Sequence, residues 1–179
     1  MKSKVLLIIT AVALVCGCLV GGTVAWLVGR AEVDNVFIAG SISLDLTETT
    51  GTSYALVPGA TVAKDPKVTV FAGSEACWLF VKIEKSNDPD AYITYTPADG
   101  WVALEEGVYY RQQDAITADV TYSVLQNDCF TVREELTSAQ MTALKESGAY
   151  PTLTLTAYAV QQSGIADVAQ AWERAENLP

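Results

Sequence analysis

The side chains able to do chemistry are few. Two acidic pairs stand close in sequence, Asp88 with Asp90 and Glu105 with Glu106; Cys77 and Cys129 follow the apolar N-terminus; and the chain contains no histidine. Zinc-dependent hydrolysis needs neutral nitrogen ligands, usually from an H-E-x-x-H helix, and a carboxylate to activate water. Serine and cysteine nucleophiles are activated by a histidine base. Composition forecloses both. The acidic pairs are chemically able to support acid/base work or to bind calcium. Both sit in turns beside Pro89 or Gly107, however, where solvated charge is the ordinary role, and EF-hand ligand spacing is absent. Cys77 and Cys129 are an even pair and so a candidate disulfide in an exported protein; on separate strands they serve equally as small buried apolar residues. No CxxC spacing accompanies them, so no metal site is expected. Trp78 with Phe80, and Trp101 with Tyr109 and Tyr110, offer flat rings on which a sugar could stack, although core or cross-strand packing is the commoner fate. The expectation is a protein that is not an enzyme and takes no cofactor or metal.

Elements that would position these residues begin after a distinctive N-terminus. Lys2 and Lys4 precede an almost unbroken apolar run, Val5 to Val20, then Gly21-Gly22 and Thr23-Val24-Ala25, with small residues at −3 and −1 of a cut between Ala25 and Trp26. Residues 1–25 therefore read as a signal peptide and residues 26–179 as one secreted domain. The apolar character continues through Val28 before Arg30, Glu32 and Asp34 stop it, so a retained membrane anchor is the competing expectation. Cys18, preceded by Val15-Cys16-Gly17, matches a lipidation site poorly. The formal charge of −10 becomes −12 without the leader and points away from nucleic acid and from anionic membrane surfaces. Contact with a membrane is expected only through an uncleaved leader.

Beyond the leader the chain punctuates itself every ten residues or so, as an all-β domain does. Alternation predicts strands at Val36 to Ala39, Ser41 to Leu46, Tyr54 to Val57, Lys67 to Phe71, Ala91 to Thr96, Trp101 to Leu104, Val108 to Arg111, Val120 to Leu125 and Cys129 to Val132. Pro58-Gly59 suits a type II turn. Cys77 to Lys85 is apolar on both faces at its start, which predicts a central strand. Thr137 and Gln140 form a capping box at the head of a helix from Leu136 to Ser147. Thr152 to Val160 alternates over a last long strand, and Ile165 to Glu176 is a short amphipathic helix. The economical architecture is one antiparallel β-sandwich with one or two short helices.

Two blocks then carry a family likeness. Gly21-Gly22-Thr23-Val24-Ala25-Trp26, Asn35-Val36-Phe37-Ile38-Ala39-Gly40 and Ile42 to Glu48 form the first, and Leu56-Val57-Pro58-Gly59-Ala60-Thr61-Val62-Ala63-Lys64-Asp65-Pro66 the second. In these the chain resembles the TasA/camelysin family, strongly to about residue 85 and more loosely beyond. Leu27-Val28-Gly29-Arg30 departs from the F-T-D or F-N-D that members carry there. The resemblance implies a jelly-roll-like sandwich with a leader cut by a dedicated signal peptidase. It also implies display on the cell surface of a Gram-positive-type bacterium as a subunit of biofilm matrix fibres. A fibre subunit needs a strand to donate, and Asn35, Phe37, Ile38 and Gly40 are the expected assembly residues of a homopolymer, the partner being a second copy. A monomeric or membrane-anchored surface module binding carbohydrate or protein is the alternative.

Overall fold

The computed structural model of the chain describes residues 42–177, whose regular structure is mainly β-strand with period-two alternation. Its strands are β1 (Leu44–Thr47), β2 (Thr61–Ala63), β3 (Lys67–Val70), β4 (Cys77–Ser86), β5 (Ile93–Thr94), β6 (Val102–Glu105), β7 (Val108–Gln113), β8 (Val120–Ser123), β9 (Cys129–Val132) and β10 (Thr152–Gln161). Helix α1 (Ser138–Ser147) precedes β10, and helix α2 (Val168–Glu176) follows it. The strands form three antiparallel sheets, ordered β1-β3-β8, β10-β4-β7-β6 and β2-β9-β5. All-β architecture with two short helices is thus what the alternation predicts. Among the described residues no helix is long and apolar enough to cross a membrane. The leader, its cleavage site and the strand expected at Val36 to Ala39 lie outside the described residues.

β4 organises the rest. It pairs with β10 from Cys77↔Gln161 to Ser86↔Thr152 without a break, and with β7 on its other side. Side chains alternate across a strand. Cys77, Leu79, Val81 and Ile83 therefore share one face and, with Ala157 and Ala159 of β10, pack against Leu44, Val68 and Val70 of the first sheet. Phe80 points the other way and is buried with Val108 and Val160 beneath Ala171, Trp172 and Ala175 of α2. Small alanines at i and i+4 let this helix lie close, and Asp167 caps it by accepting from the Gln170 amide at 2.9 Å. Trp172 closes the packing, with ring centroids 5.2 Å from Phe80 and 5.6 Å from Tyr158. A third core, Ile93, Phe130, Val132 and Leu136, lies under the sheet β2-β9-β5.

Several expectations shift in detail. Tyr54 to Val57 is not a strand; the pairing with β9 falls instead to Thr61–Ala63. The intervening type II turn forms as predicted, with Gly59 at φ +76° and the Ala60 amide donating to Val57 O at 3.0 Å. Tyr54 and Leu56 drop their side chains into the third core, where the Tyr54 ring meets Phe130 edge-on at 5.4 Å. Ring burial outweighs the ladder there. β5 keeps only Ile93–Thr94 because Pro89 opens a 3-10 turn, Pro89–Ala91, just before it. α1 starts at Ser138, and the capping box of Thr137 with Gln140 is present. Leu136, outside the helix, packs in the same core as Met141, a hydrophobic staple across the cap. α2 likewise begins after Asp167 because Ile165 is held in a turn to Gln162 O at 3.1 Å.

Since Phe80 is fully buried between its sheet and α2, Phe80→Ala should lower the unfolding free energy by about 3–5 kcal/mol in urea titrations. A loss below about 1 kcal/mol would mean that α2 does not hold this face.

Candidate functional site

The densest polar constellation centres on Lys64. Only 6% of this residue is exposed, and a buried ammonium is tolerated only when paired. Glu48, one residue beyond β1, supplies the partner: Lys64 Nζ donates to both carboxylate oxygens at 2.8 Å. The Tyr54 hydroxyl lies against Glu48 Oε1 and the Gly51 carbonyl. Burial, followed by the bond to Glu48, pushes its acidity below that of an ordinary phenol. The Tyr54 ring sits 5.3 Å from Lys64 Nζ, a cation–π contact.

Asp65 faces the other way and gathers the same loop. It accepts from the Thr49 amide at 2.9 Å, the Thr49 hydroxyl at 2.7 Å and the Thr50 amide at 3.0 Å. These bonds, those of Thr49 first, hold its carboxyl well below the usual carboxylate range. Pro66 is fully buried, and its carbonyl accepts from Val124 at 2.9 Å. Lys64-Asp65-Pro66 is therefore a clamp that fastens the loop from Glu48 to Tyr54 onto the connection between β2 and β3. With Lys64 and Tyr54 both directed at it, the Glu48 carboxylate is a structural acceptor.

A cleft of about 1100 Å³ opens beside the clamp. Tyr54, Leu56 and Phe130 line one side, Met141 and Leu144 of α1 another, and Leu153 of β10 contributes as well. Its walls are mainly apolar; of the two lysines that line it, Lys64 is paired with Glu48 and Lys145 is exposed.

The second feature is the outer edge of β10. Among the described residues no strand pairs with it. The segment TLTLTAYAVQ contains no charge and no proline, and its register with β4 is unbroken. The other edges are short or irregular: β1 and β8 have four residues and β2 three. β6 carries a register shift between Ala103 and Glu105, and β5 is two residues long.

The residues expected to act are placed as follows. Ala25, Trp26, Asn35, Phe37, Ile38 and Gly40 lie outside the described residues. Leu44–Thr47, the core of the strand expected next, pairs in its own sheet with Lys67–Val70. The candidate disulfide is corrected: Cys77 and Cys129 are free thiols. Cys77 is wholly buried in β4, and desolvation pushes its thiol up to about 12. Cys129, in a different sheet, donates weakly to Gln126 O at 3.7 Å. The small-buried-residue alternative describes Cys77.

The carboxylate pairs are separated by their partners. Asp90 binds Lys85 at 2.7 Å, whereas Asp88 occupies the left-handed region at φ 50° ahead of Pro89. Glu105 accepts from the Trp172 indole at 2.8 Å. Among the described residues no group of three or more metal-ligating side chains occurs. The rings pack across strands. Trp101 is buried and donates to Ser123 O at 2.8 Å, and Trp78 meets Tyr110 edge-on at 5.9 Å. Sequence reading passed over the clamp itself, although the adjacent Lys64-Asp65-Pro66 was its visible trace.

No protein-family model, curated protein or solved structure matches the chain.

Two outcomes follow. Glu48→Gln leaves a buried ammonium without its counter-charge and should destabilise the fold by about 3 kcal/mol. The double variant Glu48→Leu with Lys64→Met should recover most of that loss in the same denaturant titration. Asp65 has a depressed folded-state pKa, so its contribution is complete above the unfolded value of about 3.9 and fades as pH falls below it. The Tm gap between the wild type and Asp65→Asn should be widest at neutral pH and shrink below about pH 4; a pH-independent gap would contradict the clamp.

Proposed function

We propose that this is an exported cell-surface protein of the TasA/camelysin type, a structural subunit of an extracellular matrix fibre rather than an enzyme. In this reading a dedicated signal peptidase cuts between Ala25 and Trp26. The segment so released adds as a strand to the next copy, with Phe37 and Ile38 as its anchoring side chains. The domain is a jelly-roll-like sandwich. The observation that carries the reading is the edge of β10 with which no described strand pairs: ten residues without charge, proline or bulge. Natural edges are usually kept short, charged or bulged because an open row of N–H and C=O groups templates pairing with another chain. β5 and β6 follow that rule. β10 does not, and strand addition at such an edge draws affinity from main-chain bonds and specificity from alternate side chains.

The chemistry at hand agrees. The acidic side chains of the two candidate pairs serve packing and ion pairing in the cases of Glu105 and Asp90, and the Lys64–Glu48 pair is committed to the loop. Trp101, the centre of the carbohydrate alternative, is buried.

The test compares filaments formed by the processed protein and by a variant lacking residues 26–40, using negative-stain electron microscopy. Loss of filaments with a folded domain by circular dichroism is the expected result. Normal filaments from the shortened chain would end the strand-donation reading, and N-terminal sequencing of the secreted material checks the cut after Ala25 in the same preparation.

A further inference from the structure

The chain carries 21 acidic residues against 11 basic ones, and most cations among the described residues are already engaged. Lys64, Lys67, Lys82 and Lys85 reach carboxylates. Arg133 and Arg174 donate to the carbonyls of Asp90 and Gly164. Arg111 differs. It is half-buried at the seam between β7 and β8, its guanidinium carbon 3.8 Å from the ring centroid of Tyr122 and 5.3 Å from that of Trp101. Among the described residues no carboxylate, carbonyl or hydroxyl accepts from it.

The surroundings of this guanidinium are fixed. Trp101 is tied through its indole to Ser123 O at 2.8 Å, and the Tyr122 hydroxyl is bonded to Gln113. Gly100, at φ +88°, approaches so closely that a β-carbon there would collide with Nη2 of Arg111. Burial disfavours the charged guanidinium, an effect that the Tyr122 phenol opposes. Stacking on a ring occupies a face of the guanidinium and leaves its in-plane N–H edge available, the edge that binds a carboxylate in bidentate fashion. Arginine backed by tyrosine and tryptophan is also the composition of an interface hot spot.

We propose that Arg111, backed by Tyr122 and Trp101, is the docking point for an acidic side chain of a second copy of this chain. The inference rests on the self-assembly reading above and adds to it a contact separate from the donated strand. Charge complementarity selects the occupant. Two processed copies, each with a formal charge of −12 after loss of Lys2 and Lys4, repel, so an unneutralised cation set against the acid-rich surface of the other favours contact. Lys145 is the competing cation, but it is exposed in the last turn of α1, where the helix carbonyl ends already favour it. Arg111 is already packed against Tyr122 and Trp101, so less side-chain freedom is lost when it binds.

The test is sedimentation velocity on variants of the full chain exported with its own leader. Arg111→Gln should weaken self-association about tenfold in Kd and Arg111→Glu further, Arg111→Lys should lie between wild type and Arg111→Gln, and Lys145→Gln should change it less than about twofold. Raising salt from about 50 mM to about 500 mM should narrow the gap between wild type and Arg111→Gln, because the Arg111 contact is screened in the one and missing from the other. A gap between wild type and folded Arg111→Gln that stays the same across this salt range would overturn the proposal. So would a folded Arg111→Gln that associates like wild type, a wild type that stays monomeric, or Arg111-dependent binding of polygalacturonate in place of self-association. If removing residues 26–40 abolishes filaments while Arg111→Gln assembles normally, only the Arg111 contact fails; if filaments survive that deletion yet Arg111→Gln still weakens association, only strand donation fails.

Discussion

A strand that is apolar on both faces has to be covered twice, and this requirement on β4 sets the plan of the molecule. The face bearing Leu79, Val81 and Ile83 is closed by the sheet that contains β1 and β3, and the face bearing Phe80 by α2. Each cover has its own reason to be where it is. β1 and β3 supply Leu44, Val68 and Val70 at alternate positions of a matched register. α2 supplies alanines that allow close approach and one large ring, Trp172, whose polar end is satisfied by Glu105 at the rim of the same sheet. Hydrophobic burial therefore selects the layers, and one hydrogen bond sets where the helix ends its travel.

The clamp at Lys64 addresses a different problem. A polar loop from Glu48 to Tyr54 has little apolar surface to hold it, and the buried ion pair with Asp65 beside it gives that loop one arrangement. Burying a charge is a poor source of net stability but penalises every arrangement that leaves it unpaired. In this chain that discrimination fixes the wall of the cleft and the place of Tyr54 against Phe130.

Local signals were legible in the sequence and long-range ones were not. The double-faced pattern of Cys77 to Lys85, the Thr137 and Gln140 capping box and the Pro58-Gly59 turn all involve residues within a few positions of one another, and each forms as read. Tyr54 to Val57 looked like a strand because its residue types favour one; a partner ring, Phe130, decides otherwise from far along the chain. Glu48 and Lys64 carry no sign of each other at a separation of 16 residues. Arg111 meets Trp101 and Tyr122 only because β7 and β8 belong to different sheets that converge at the seam. The cysteines illustrate the same limit: count and compartment suggested a bond, whereas strand placement put the two sulfurs in separate sheets.

Those unpaired sulfurs bear on how the chain acquires its shape. Among the described residues no disulfide constrains the unfolded ensemble, so burial, hydrogen bonding and paired charges hold the domain. The longest pairing in the domain, β10 along β4, is made of main-chain bonds that no thiol chemistry has to close.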